Sequence, residues 1–287
     1  MRRRTKLLNP AVFEGRGVHG GDESRLVCRA SAPGSGLRFK RADRGGALIA
    51  VIDGAKLPSV SQGAGRSTCL GDGETGIRTV EHFLAAAWAL ALTDLEIELS
   101  GGEMPFLDGS ALAFIEGFRR SGVTEASMER PRIRLDEPVF VFGEKSAILF
   151  LPEDSFRVTY TLDLRHPLLR GQVVSEGMSP GHFIESIAPA RTFCLAEEAG
   201  RLREAGYGKG ADTSNTLVMG PGGPLENRFR LPQECARHKV LDLVGDLALL
   251  GCDLGAHVVS VRGGHQLNHE LIRQIDMRRS PARTEQS

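Results

Sequence analysis

Three residues at four-residue intervals carry the most legible chemistry: His238, Asp242 and Asp246, in the run Arg237-His-Lys-Val-Leu-Asp-Leu-Val-Gly-Asp246. Apolar residues at Val240, Leu241, Leu243, Val244, Leu247, Leu249 and Leu250 recur at helical spacing, so the stretch reads as an amphipathic helix over about 234–251. Positions i, i+4 and i+8 stack along one helix face. An imidazole and two carboxylates therefore form a column, with Lys239 beside the first. His and Asp at i, i+4 lean the same way and can share one metal ion. Taken alone, the stretch reads equally well as a solvated helix face bearing a His–Asp pair.

Two other segments supply matching chemistry. Glu81 and His82 open the run Thr79-Val-Glu-His-Phe-Leu-Ala-Ala-Ala-Trp-Ala-Leu-Ala-Leu92, and His265 sits in Arg262-Gly-Gly-His-Gln-Leu-Asn268. His82, His238 and Asp242 would give the three N/O donors of a catalytic metal site with one position left open. A metal held there lowers the pKa of water toward neutrality. Glu81 could take a proton from that water, and His265 could give one to a leaving amine. Asp246 could hold the His265 imidazole cationic by charge and hydrogen bonding. Singly, Glu81 also reads as a carboxylate at a helix N-terminus, and His265 as a loop histidine.

These side chains need elements to carry them. The run from Thr79, with Thr79 as N-cap, is rich in strong helix formers and apolar nearly all round, which predicts a buried helix. Short alternating segments predict strands at 11–13, 25–29, 37–39, 48–52 and 95–99, with a helix over 111–120 capped by Asp108 or Ser110. The polar stretch 121–131 reads as a linker. The pattern then restarts with strands at 139–142, 147–151 and 156–164, a helix near 195–204, a glycine-rich loop over 208–223, the 234–251 helix, a strand at 258–261 and a helix over 267–275. Both halves run strands, helix, strand, helix. That order predicts an α+β fold with a duplicated architecture, not a doubly wound sheet.

Composition sets the outer limits. The 287 residues allow one large or two medium domains. Lys plus Arg equals Asp plus Glu at 36 each, so there is no basic field and no nucleic-acid partner is expected. Five scattered cysteines without a C-x-x-C pair imply neither a disulfide framework nor a thiolate zinc site, and suit a reducing, cytoplasmic setting. No apolar region follows the basic N-terminus and no run of eighteen apolar residues exists, so neither a signal peptide nor a membrane span is expected. The polar tail 281–287 is expected to fray.

Six signatures carry a family resemblance: Gly-Arg-Gly-Val-His-Gly-Gly (15–21), Thr-Val-Glu-His-Phe-Leu-Ala-Ala (79–86), Met-Pro-Phe-Leu-Asp-Gly-Ser-Ala (104–111), Ala-Arg-Thr-Phe (190–193), the Arg237 to Leu247 run and Gly-His-Gln-Leu-Asn (264–268). In order and spacing the chain resembles the UDP-3-O-acyl-N-acetylglucosamine deacetylases, metal-dependent enzymes of lipid A biosynthesis. The resemblance implies two α+β domains of similar topology, 1–125 and 130–280. Each would hold a mixed or antiparallel sheet, with helices sandwiched between the two sheets and the active site at the domain junction. It implies His82, His238 and Asp242 as metal ligands, Glu81 as general base, His265 as general acid oriented by Asp246, and Thr192 at the oxyanion. It places Lys239 and Arg262 near the diphosphate and Asp163 near the uridine. Phe193 and His19 complete the substrate-binding set, although the 15–21 turn by itself reads as a plain hairpin. An insertion near 193–217 would form an apolar passage for the acyl chain. The implied cofactor is Zn(II), with Fe(II) suited to the same donors, and the implied partner is a UDP-linked acylated amino sugar bound by a monomer without stable membrane insertion.

The chain departs from the family pattern at Thr93-Asp94-Leu95, Leu151-Pro152, Leu164, Gly210 to Asn215 and Gln233-Glu234, all in substrate-shaping segments. These departures keep open a paralogous deacetylase of another acylated amino sugar. A catalytically silent sugar-nucleotide or acyl-chain binding protein is the reading from a different class. It predicts a decayed constellation, whereas all seven positions from 81 to 265 carry competent side chains.

Overall fold

The computed structural model describes residues 2–62 and 66–279; the tail expected to fray lies outside them. Two five-stranded sheets form its frame. The first runs in spatial order Ala11–Arg16, Glu23–Ala30, Leu95–Ser100, Leu37–Arg41, Ala47–Ile52. The second runs Val139–Phe142, Ala147–Pro152, Ala256–Val261, Phe156–Leu162, Gln172–Gly177. In each sheet the central strand is the last of the five in sequence. It pairs antiparallel with the strand that is second in sequence within its sheet and parallel with the third. The duplication expected from element order is therefore a duplication of sheet topology, and the fold is α+β.

Six helices are described: α1 Glu81–Ala89, α2 Leu112–Arg120, α3 Pro180–Ser186, α4 Ala196–Glu204, α5 Glu234–Leu247 and α6 His265–Arg278. Each half places a helix before its central strand, within the long crossover that a parallel pair needs, and another after it. Helices α1 and α2 pack on the first sheet through Phe39, Phe83, Phe114 and Phe13, whose rings meet at centroid distances of 5.1–5.8 Å. Helices α5 and α6 pack on the second sheet, and α1 lies along α5. The helices are thus sandwiched between the sheets. All nine residues of α1 are buried, as its apolar circumference requires.

Several local expectations are corrected. Residues 121–131 are not a plain linker: Val123–Glu129 is a strand pairing antiparallel with Arg3–Leu7, a pairing across more than a hundred residues that no local pattern signals. Thr79 is not the N-cap of α1. It has φ of 61°, Val80 precedes the helix, and the Thr79 hydroxyl donates to Glu103 Oε1 at 2.9 Å. Within 208–223, Leu217–Gly220 is a strand paired with Phe193–Leu195. Strand Gln172–Gly177 and helix α3 had no assigned counterpart in the sequence reading. The final helix begins at His265, so His265 is not a loop residue.

Candidate active site

The close approach of α1 to α5 builds the site. Gly245 on α5 has no side chain where a Cβ would overlap the Glu81 carbonyl, so the head of α1 seats directly on α5. Glu81 and His82 on α1 thereby face His238, Asp242 and Asp246 on α5, all of them buried. The first turn of α6 adds His265.

His82, His238 and Asp242 each present one ligand atom, mutually within 4.8 Å. Asp242 Oδ1 lies 3.5 Å from His82 Nε2 and 3.3 Å from His238 Nε2. The two imidazole rings meet edge to face at 5.0 Å. His238 Nδ1 donates to the Ala190 carbonyl at 3.1 Å, leaving Nε2 as a lone-pair donor toward the cluster. Burial pushes the His238 imidazole down to about 3, so it is neutral near pH 7, the form that ligates metal. Burial raises the Asp242 carboxyl, but the neighbouring imidazoles and Lys239 outweigh it and hold it well below its usual range, as a carboxylate. Two imidazoles and one ionised carboxylate, buried together with their ligand atoms converging and His238 oriented by the Ala190 carbonyl, fit a divalent ion.

Glu81 and His265 stand beside this cluster, with Glu81 Oε1 3.8 Å from His265 Nε2. Burial raises the Glu81 carboxyl above its ordinary value, against the pull of His265 and His82. A carboxylate so raised accepts a proton more readily. His265 Nδ1 donates to Asp246 Oδ2 at 2.8 Å. Burial lowers its pKa, but the Asp246 charge and hydrogen bond more than offset this and lift it to about 9. One buried carboxyl made a better base and one imidazole kept cationic is the pairing that water-dependent acyl transfer requires.

A cavity of about 510 Å³ opens from this cluster. His265, Lys239, Thr192, Phe193 and His19 all line it. Its far wall comes from α4 and the segment after it, including Leu202, Tyr207 and Val218. The glycine turn that carries His19 docks onto that segment: Gly210 N–H donates to the Val18 carbonyl at 3.0 Å, and the His19 and Tyr207 rings meet at 5.5 Å. The turn is therefore a clasp between the two halves, held by Glu103, which accepts from the His19 and Gly20 amides.

The other proposed substrate residues are already paired. Lys239 Nζ lies 2.7 Å from Asp242 Oδ2 and 5.7 Å from the Phe193 ring centroid. Arg262 pairs with Asp163 at 3.0 Å on the exposed rim, and neither is among the residues lining the cavity. Thr192 is set by its backbone, its N–H donating to the Gly109 carbonyl and its carbonyl accepting from Leu217. Arg191 just before it forms a buried pair with Glu234 at 2.9 Å, which anchors this loop to the start of α5.

Three neighbours of the cluster escaped the sequence reading. Thr68 donates its hydroxyl to Asp246 Oδ1 at 2.5 Å, Asn268 donates to Asp246 Oδ2 at 2.8 Å, and His269 Nε2 lies 2.8 Å from the Thr68 hydroxyl. The i, i+4 spacing of His265 and His269 was a signal for the last of these. Thr68 sits in a three-residue strand with no such pattern.

Comparison with known proteins agrees with this geometry. The sequence profile of the UDP-3-O-acyl N-acetylglycosamine deacetylase family matches residues 4–277. Among similar proteins, the UDP-3-O-acyl-N-acetylglucosamine deacetylase of Leptospira biflexa serovar Patoc is 33% identical over 276 residues, covering 95% of this chain and 89% of the relative. That of Thermosynechococcus vestitus is 34% identical over 273 residues, covering 95% and 94%. That of Nitratidesulfovibrio vulgaris is 34% identical over 273 residues, covering 95% and 87%.

Proposed function

The chain belongs to the UDP-3-O-acyl N-acetylglycosamine deacetylase family, and on that premise we propose that it removes acetate from the 2-acetamido group of UDP-3-O-(3-hydroxyacyl)-N-acetylglucosamine, the committed step of lipid A biosynthesis. The observation that carries this reading is the meeting of the His82–His238–Asp242 donor set with Glu81 and His265 beside a 510 Å³ cavity.

In our reading His82, His238 and Asp242 hold one Zn(II). The same donors suit Fe(II), and metal analysis of the purified protein separates the two. A divalent ion bound there supplies Lewis acidity toward the amide carbonyl and a lowered pKa for water. Glu81 accepts the proton of the attacking water. The Thr192 hydroxyl donates to the developing oxyanion. His265, cationic and steadied by Asp246, gives a proton to the departing amine. Water and amide thus become acetate and a free 2-amine. Lys239 neutralises Asp242 and with Arg262 offers positive charge to the diphosphate, Asp163 meets the uridine, and His19 and Phe193 flank the route into the cavity. The segment 193–217 holds the acyl chain. We read 1–125 and 130–280 as the two domains, and the protein as a cytoplasmic monomer; no helix among the described residues is long and apolar enough to cross a membrane.

The test is acetate release from the UDP-linked 3-O-acyl substrate by protein of measured metal content, beside Glu81→Ala and His265→Ala. We expect about one metal per chain, loss of activity on chelation with recovery on readdition, and a fall of roughly 10²–10⁴-fold for each variant. Metal binding without acetate release would mean a different substrate. Absence of metal under every loading condition would point to the silent binding protein.

A further inference from the structure

Asp246 accepts three hydrogen bonds on its two oxygens, and the mechanism above uses only one of them. Oδ2 takes His265 Nδ1–H and the Asn268 amide, each at 2.8 Å. Oδ1 takes the Thr68 hydroxyl at 2.5 Å. Thr68 is fully buried, and its backbone N–H donates to Glu81 Oε2 at 3.1 Å. One residue of the strand Thr68–Leu70 therefore holds both carboxylates: that of the base through its amide, and that beside the acid through its hydroxyl.

A hydroxyl has one proton. His265 Nδ1 lies 3.3 Å from the Thr68 oxygen but gives its proton to Asp246 Oδ2 at 2.8 Å; with the hydroxyl proton also on Asp246, the Thr68 oxygen accepts from His269 Nε2, at 2.8 Å. His269 is buried one helical turn beyond His265 on α6. Its proton must then lie on Nε2, which leaves the hydroxyl a single satisfied orientation, toward Asp246. His269 does not reach the reacting atoms. It acts through Thr68, and Thr68 acts through Asp246 and Glu81.

We propose that Thr68, oriented by His269, is a positioning residue for both proton-transfer groups of the deacetylation, fixing Glu81 and the Asp246–His265 pair in one mutual geometry. The inference rests on the reaction proposed above. It assigns a role in catalysis to a hydroxyl and an imidazole that touch neither metal ligand nor substrate. Two carboxylates in one buried site repel each other, and a rigid donor between them keeps them apart without placing a further charge there.

Thr68→Val removes the hydroxyl and keeps both shape and amide. We expect kcat to fall roughly 10- to 100-fold, the equivalent of one hydrogen bond to a charged group, with KM and metal content close to wild type. Thr68→Ser restores the hydroxyl and should recover most of kcat. His269→Leu should behave like Thr68→Val, and the double variant should lose no more than either single one, because the two act in series. Ring ¹⁵N shifts give a readout that does not need turnover: His269 should be protonated at Nε2 in wild type and should lose that preference in Thr68→Val. Wild-type kcat in Thr68→Val, or a His269 protonated at Nδ1 in the wild type, overturns the proposal. Wild-type protein that releases no acetate overturns the reaction instead, and the ring shifts still decide the hydrogen-bond order.

Discussion

At the scale of single residues, burial and pairing decide which protons are available. The pKa of His265 stands at about 9 because Asp246 more than offsets its burial. Its acid form therefore persists through neutral pH, and the rate should fall as pH rises through about 9. Asp246→Asn removes the charge and should draw that descending limb toward the ordinary imidazole value of about 6.5, costing roughly 10- to 100-fold in kcat at pH 8. A pH–rate profile of both proteins checks this; an unmoved limb would mean that another group sets it. The linked stability has a definite sign. The folded value is raised, so the contribution of the pair is complete below about 6.5 and is lost as pH rises through about 9. Residue types at this scale were legible where spacing grouped them, as for His238 and Asp242. The pairing of Lys239 with Asp242 and of Arg262 with Asp163 was not, because the partner of a charge is fixed by rotamer and tertiary distance. Thr68 was not legible either, since a threonine in a short strand resembles any other.

At the scale of elements, the site depends on how closely α1 approaches α5, and that distance is set at Gly245. A methyl group there has nowhere to go but into the Glu81 backbone. Gly245→Ala should raise intrinsic helix propensity yet destabilise the fold by about 1–3 kcal/mol, the usual cost of overpacking. It should also cut kcat more than the stability loss explains, because the displaced atoms all belong to Glu81, the base and the immediate neighbour of His82. Calorimetry beside acetate release at a temperature where the variant is fully folded separates the two effects. Full activity in a destabilised variant would show that α1 can shift without moving its side chains. The helices themselves were readable from periodicity, and the central strands from their alternation, as at Leu95–Ser100. Their ends were less so. Thr79 resembles an N-cap, but its hydroxyl is engaged by Glu103 and its backbone is left-handed, so the helix starts two residues later.

At the scale of the whole molecule, two sheets of one topology must be held in register, and long-range contacts do this where the sequence is silent. The duplicated order of elements was visible along the chain. The cavity was not, because its walls, the 15–21 turn and the 193–218 segment, meet through long-range contacts such as Gly210 to Val18 and His19 to Tyr207. On the other side of the sandwich, Asp253 makes the equivalent tie. It accepts from Arg2 at 2.8 Å and from Arg130 at 2.9 Å, joining the start of the chain, the connecting segment and the second half. Arg2 also lies over the Trp88 ring on α1 at 4.9 Å and donates to the Trp88 carbonyl. Arg130 is buried, so removing its counter-charge leaves a guanidinium with little water to solvate it. Asp253→Asn preserves shape and removes that charge. The carboxylate is about one-fifth exposed, so the cost should fall below that of a fully buried pair, at about 1–3 kcal/mol. Trp88 is six residues beyond His82, roughly 9 Å along the helix at 1.5 Å per residue. The disturbance should therefore stop short of the metal ligands, giving a lower melting temperature with kcat unchanged at 25 °C. If kcat fell together with stability, the junction and the active site would be mechanically coupled through α1.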